Sequence, residues 1–477
     1  MSQLPNEIMA NIFQNLSQHD LVVVQRASKA IRSLVRDMCM TSLTIHRQGR
    51  DSMERAVMFL QAHPDFAQRL KTIIFDTGVT NGENSLGKKY SVAINGEGLA
   101  CSCIQAILSA TPRERMTSHV RSAFDKAFCC FRTSLFEPGE CPAVLAQIII
   151  SAPNVTKLHL NVETRAGGIT VLHLLHHKSE VDRALGIVPF RHLKHIVIHT
   201  AHDSEFPIFR NMESLSVASE NEEIDLTTEE FAPDETTNIR ALKFHGSYNT
   251  NAAICRTIQH GKLAKIERLD LCSSFYDSSA EGSSFSLFQA ISSHCHALDT
   301  LAVDWGYQSS DDDASIAPAS LSDVNSLGSG IRRLRLHIDS LMPRLRHPSA
   351  ETRGVESLIC RLCMTLPPSV VVAELVGLLE ADLQDLLKAV STLSPFAGPR
   401  PINCMLRFLR LTVDVETRGS VPIGHQLEED SDKLRSIVEL ARNAGLQLGI
   451  YLRDIGSRIP EDIHLVGAQT EDVCWQE

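Results

Sequence analysis

Eight short segments share one spacing of apolar and polar positions: VTKLHL at 155, LKHIVI at 193, MESLSV at 212, IRALKF at 239, IERLDL at 266, LDTLAV at 298, IRRLRL at 331 and LRFLRL at 406. Positions one, four and six hold Leu, Ile, Val, Met or Phe in every segment. Side chains of extended backbone alternate between faces, so four and six point to one side and three, five and seven to the other. Each segment is predicted to be a strand with one face in a core. Successive starts lie 38, 19, 27, 27, 32, 33 and 75 residues apart, and helical stretches fill several intervals, including 252–259 and 285–293. The longest interval is expected to hide another unit, with a strand at 369–375 and a helix at 380–393. Further strand candidates are 70–75 and 446–451. Strand plus helix at such intervals predicts an α/β chain built as a right-handed αβ solenoid. A doubly wound α/β domain with non-sequential strand order also fits the succession.

The first 35 residues have helical spacing instead. Pro5 can open a helix without losing a hydrogen bond, and Ile8, Ile12 and Leu16 recur on one face. Ser17 and Asp20 form a cap before Leu21 and Val24, and a third helix can run from Ala27 through Ile31 to Val35. A segment this short rarely folds alone, so its apolar faces need partners.

This stretch matches L-P-x-E-I-x-x-x-I-F-x-x-L-x-x-x-D-L and a following S-K-x-x-R at Leu4, Pro5, Glu7, Ile8, Ile12, Phe13, Leu16, Asp20, Leu21, Ser28, Lys29 and Arg32. In that pattern it resembles an F-box. The resemblance implies a short all-α F-box over 1–45 that docks on a SKP-type adaptor, and through it a cullin, by way of Leu4, Pro5, Ile8, Ile12, Leu16, Leu21 and Val24. It further implies the non-catalytic substrate-recognition subunit of an SCF-type E3 ubiquitin ligase. The strand region, 46–455, is similar to the irregular leucine-rich repeats that follow many F-boxes. It departs from them at the ninth position, where Asn or Cys is replaced by Glu163, Ala201, Glu220, Ser247, Ser274, Gly306, Asp339 and Asp414. Inserted loops are expected near 77–98, 220–238 and 308–328, and a C-terminal tail over 456–477.

Composition narrows the classes. With 477 residues, 43% hydrophobic and 22% charged, the chain can bury a large core. A net charge of −11 argues against a general nucleic-acid binder, although the acids cluster between Glu220 and Glu235. The 13 cysteines are odd in number and scattered, and no secretory leader pattern opens the chain. A reducing cytoplasm or nucleus is therefore the expected compartment. No apolar run approaches a bilayer span, so no membrane role is expected.

Local motifs for chemistry are weak. Gly82 to Lys89 approaches a phosphate-binding loop, but Lys89 replaces the Mg²⁺-holding Ser or Thr and no helix pattern follows. Cys360 and Cys363 have half the spacing of a zinc site without a second half, and read as core residues. His173, His176 and His177 lie close enough to share a metal, yet sit among leucines in a helical stretch. No catalytic residue, metal or cofactor is expected from these motifs. A non-degradative protein-interaction scaffold and an enzyme with a dispersed site remain the alternative classes.

The strand face away from the core carries a charge opposite to that of the whole chain. Positions three, five and seven hold Lys157, His159, His195, His199, Lys243, His245, Arg268, Arg333, Arg335, His337 and Arg410 against only Asp270 and Asp304. A solvated sheet surface accounts for such residues. A sharper reading makes Lys157, His159, Lys243, Arg268, Arg333, Arg335 and Arg410 a site for an acidic or phosphorylated protein target, because clustered Arg binds phosphate oxygens in bidentate fashion. The chain's own acidic loop is a third occupant.

Overall fold

The computed structural model describes residues 41–46, 50–76, 111–136, 142–160, 165–166, 169–201, 205–219, 225–227, 237–245, 263–273, 284–305, 331–337, 366–378, 405–415, 434–439, 441–443, 445–454 and 462–467, with scattered positions elsewhere, among them Ile8, Met9, Ile12, Phe13, Val23, Val24, Ile31 and Val35. The chain divides into two compact units: Met1–Ser219 with Thr227–Glu230, and Glu220–Leu226 with Phe231–Glu477.

The main sheet of the first unit contains β1 (Ser42–His46), β2 (Thr72–Asp76), β3 (Lys157–Leu160), β6 (His195–Ala201) and β8 (Ser214–Ser219), all parallel and in chain order. The short strands β4 (Arg165–Ala166) and β5 (Ile169–Thr170) pair separately, and β7 (Glu205–Pro207) and β9 (Asp225–Thr227) lie outside this sheet. Register aligns Ile73, Leu158, Ile196 and Leu215 in one row, and Phe75, Leu160, Ile198 and Val217 in the next. All eight are buried. Each contributes about 1.5–3 kcal/mol of burial, which fixes the register, because a one-residue slip would turn both rows to solvent.

Helices connect these parallel strands. They are α1 (Arg50–Ala62) and α2 (Pro64–Arg69) before β2, α3 (Ser118–Phe136) and α4 (Pro142–Ser151) before β3, and α5 (Val171–Ala184) before β6. The ends of α5 are well specified. Thr170 Oγ1 accepts from the His173 N–H at 3.3 Å. At the other end, Gly186 N–H donates to Arg183 O and Ile187 N–H to Asp182 O. This Schellman arrangement needs the left-handed conformation that Gly186 adopts, φ 73°.

In the second unit, β10 (Ala241–His245), β11 (Arg268–Ser273), β12 (Thr300–Trp305), β13 (Arg333–His337), β14 (Val372–Leu378), β15 (Phe408–Val415) and β16 (Gln447–Asp454) run parallel in chain order, and β17 (Asp462–Gly467) pairs antiparallel with β16. Leu242, Leu269, Leu301, Leu334, Ala373, Leu409 and Leu448 form one apolar row. Phe244, Leu271, Val303, Leu336, Leu375, Leu411 and Ile450 form the second, and every member of both rows is buried. Helix α6 (Ser284–His294) precedes β12. A doubly wound sheet would reverse its order, and neither main sheet does.

The eight-segment pattern thus forms strands at every occurrence, with position one also buried, from Val155 to Leu406. Position two carries a recurring backbone bond. Arg240 O accepts from Glu267 N–H, Glu267 O from Asp299, Asp299 O from Arg332, Arg332 O from Val371, Val371 O from Arg407 and Arg407 O from Gln447.

Several boundaries differ from the sequence reading. Strand β1 begins at Ser42 and pairs with β2, so 42–45 belongs to the sheet and not to the N-terminal helices. Part of the expected tail, Asp462–Gly467, is β17, which covers the edge of β16. Within the acidic 220–238 stretch, Asp225–Thr227 is a short strand. The stretches 77–98 and 380–393, the phosphate-loop-like Gly82 to Lys89, and Cys360 with Cys363 lie outside the described residues. Of the ninth-position residues, Ala201 ends β6 and Asp414 lies in β15, and the other six are outside them.

Candidate functional site

The N-terminal segment has apolar side chains on two sides. Phe13 and Val35 are buried, and Met9, Val24 and Ile31 pack against them. Ile8, Ile12 and Val23 face outward at 47%, 49% and 51% exposure. Ile8, Met9, Ile12 and Phe13 are all helical; Ile8 and Ile12 are four residues apart and exposed, whereas Met9 and Phe13, also four apart, face the small core. Three large aliphatic residues of this segment are thus exposed.

Residues 1–41 match the F-box-like family model. The match ends at the residue before β1. No curated protein matches the chain. Of the residues expected to meet an adaptor, Ile8 and Ile12 are exposed, Val24 is turned toward the small core, and Leu4, Pro5, Leu16 and Leu21 lie outside the described residues. Of the adjacent pair, Val23 is the exposed one and Val24 the packed one, which the run Leu21-Val22-Val23-Val24 does not reveal because it is apolar all round.

On the sheet face away from the apolar rows of the second unit, register places Lys243, Asp270, Ala302, Arg335, Glu374, Arg410 and Gly449 in one line. Charges alternate along it. Glu374 is fully buried, with Arg410 Nε 3.1 Å and Arg335 Nη1 4.0 Å from its carboxylate oxygens. The Arg410 guanidinium also lies over the Tyr451 ring, 3.8 Å from its centroid. Arg268 reaches Asp270 at 3.7 Å. A third acid therefore sits among the bases that the sequence places on this face, and it holds two of them. Arg333, beside Val372 and Thr300, is half-buried.

In the first unit, Lys157 is exposed and aligned with His195, whose Nδ1 is 2.8 Å from Ser214 Oγ. Burial holds His195 below the usual imidazole range. The rings of His159 and His199 meet at a tilt, with centroids 4.7 Å apart and an interplanar angle of 42°.

Away from the sheet, α5 brings His173 and His177 toward Cys130 of α3. The imidazoles of His173 and then His177 favour the thiolate against burial and hold Cys130 at about 6. Burial pulls His177 down, but Cys130 and Glu180 together outweigh it and raise His177 to about 9. Glu180, 2.7 Å from His177 Nδ1, is lowered to about 2 chiefly by that contact. His176 falls to about 4, mainly through burial. The sequence picks out the histidine trio but not Cys130.

A cleft of about 530 Å³ adjoins the same helix, lined by residues including Ile149, Val155, Ile187, Val188 and the ion-paired Lys178 and Asp182. Burial raises the Asp182 carboxyl, partly offset by Lys178. Its lining offers no converging Ser, His and Asp. Among the described residues, no helix is long and apolar enough to cross a membrane.

Proposed function

We propose that this chain is the substrate-recognition subunit of an SCF-type ubiquitin ligase. The observation that carries the reading is the F-box-like match at 1–41, supported by the outward Ile8, Ile12 and Val23. On this reading those side chains, with Leu4, Pro5, Leu16 and Leu21, bury against a SKP-type adaptor, which links the chain to a cullin. Sequential parallel strands with a recurring apolar pattern support a leucine-rich-repeat-like αβ solenoid that holds the target. The chain raises the target's concentration at the ubiquitin-charged partner and performs no bond chemistry itself.

For the target surface, Lys157, His159, Lys243, Arg268 and Arg333 are the proposed contacts for an acidic or phosphorylated segment. Arg335 and Arg410 are proposed to act there only after sharing Glu374. The test is co-purification of the full chain with adaptor. Ile8→Asp with Ile12→Asp, or Leu4→Ala with Pro5→Ala, should abolish it, since a carboxylate buried without a partner opposes docking. Undiminished adaptor recovery with both double variants overturns the reading. A partner whose abundance does not change when the F-box-like segment is deleted indicates the scaffold role instead.

A further inference from the structure

One side-chain cluster in the first unit lies outside the contacts proposed above for adaptor and target. Cys130 lies in the interior of α3, and His173 and His177 stand one turn apart on α5. One ligand atom from each lies within 4.8 Å of the other two. Tetrahedral Zn–S and Zn–N bonds of ~2.0–2.3 Å set ligand atoms about 3.5 Å apart, so small rotamer adjustments bring all three onto one ion.

His177 supplies the second observation. Its side chain is 3% exposed, its Nδ1 faces Glu180, and its buried Nε2 has no nitrogen or oxygen partner. A carboxylate on Nδ1 keeps a proton there, so Nε2 is the nitrogen left to ligate a metal in place of its own proton, which is how proteins orient a ligating histidine. An apolar residue would fill the same space without the cost of an unsatisfied buried nitrogen.

We propose that Cys130, His173 and His177 form a zinc site, with Glu180 orienting His177 through its outer nitrogen. One thiolate and two imidazoles suit Zn²⁺ and exclude Mg²⁺ and Ca²⁺, which take oxygen ligands. Three protein ligands leave one coordination position to water. Binding needs the thiolate and both imidazoles free of protons at their ligating atoms, and ties α3 to α5.

The rival use of these groups is a nucleophile, with Cys130 attacking, His177 as base and Glu180 orienting it. Two features oppose it. A nucleophile needs one base, which leaves His173 at the same sulfur without a role. Cys130 is also mid-helix, where neighbouring amides are committed to helical bonds and cannot hold an oxyanion.

The experiment adds Co²⁺, then Zn²⁺, to the metal-free full chain. One equivalent of Co²⁺ should give a thiolate-to-cobalt charge-transfer band with the visible bands of a four-coordinate ion, and Zn²⁺ should displace it. Cys130→Ser should abolish the charge-transfer band. Glu180→Gln should keep the band and weaken Zn²⁺ binding about 10–100-fold. If Cys130→Ser fails to fold, His173→Gln serves, and should lose one-equivalent binding. No band at stoichiometric Co²⁺, a band that survives in Cys130→Ser, or full binding in His173→Gln overturns the site. Alkylation of Cys130 by iodoacetamide at a rate Zn²⁺ does not change also overturns it, and points to the nucleophile.

Discussion

Glu374 is fully buried in β14 between two guanidinium groups, and Glu374→Gln removes its charge while keeping its volume. Arg335 and Arg410 then face each other across one strand with side-chain exposures of 21% and 13%. Breaking a buried ion pair from one side costs about 3–5 kcal/mol. The lower figure, about 3 kcal/mol, applies here, because both cations keep some water and Arg410 keeps its contact with Tyr451. Trp305 and Trp475 are the two tryptophans and both fall in the second unit, so intrinsic fluorescence follows that unit's unfolding. With a urea slope of about 1–3 kcal/mol per M, the midpoint should drop by about 1–3 M. Adding Arg410→Met to Glu374→Gln should cost less than Arg410→Met alone, since the cation removed is by then repelled and not attracted. A midpoint shift below about 0.3 M would show that the carboxylate's desolvation cancels its attraction, and would refute the argument.

Two further outcomes follow from local geometry. Gly186→Ala keeps open space around the new Cβ but places it at φ 73°, so thermal unfolding of the first unit should show a loss of about 1–2 kcal/mol from left-handed strain. Burial raises Cys295 from 9.0 to about 12, so its contribution is fully present below pH 9 and is lost as pH rises toward 12, where the unfolded chain releases a proton that the folded chain retains. Between pH 8 and 10 the parent should therefore lose about 1 kcal/mol more stability than Cys295→Ala, and equal losses in the two chains would contradict this.

What the sequence discloses and what it hides both have physical causes. Position four and six residues such as Leu269 and Leu271 announce their strand because polar residues separate them, and the same alternation predicts the opposite face. Strand β14 reads VAELVGL, apolar on both faces, so its period is disguised and Glu374 goes uncounted. Its arginine partners are legible from Arg335 and Arg410 at position five, but not their neutralisation, which depends on β14 lying between β13 and β15. Cys130 is hidden for another reason. It is separated from His173 by α4 and the strands β3, β4 and β5, and only the packing of α3 on α5 brings thiol and imidazole together. Val23 and Val24 show the limit within a single turn, where adjacent identical residues face opposite ways.

The backbone bonds at position two mean that each strand recognises its neighbour through main-chain groups that every residue except proline can supply. What must be inherited at each step is therefore a spacing and not an identity. From β10 to β14 the strand starts fall at 241, 268, 300, 333 and 372, a drift in interval that the two apolar rows absorb without losing register. Strands built this way behave as interchangeable rungs. Connecting segments are free to lengthen, shorten or change composition, and the ladder tolerates all of it provided two apolar side chains return two residues apart.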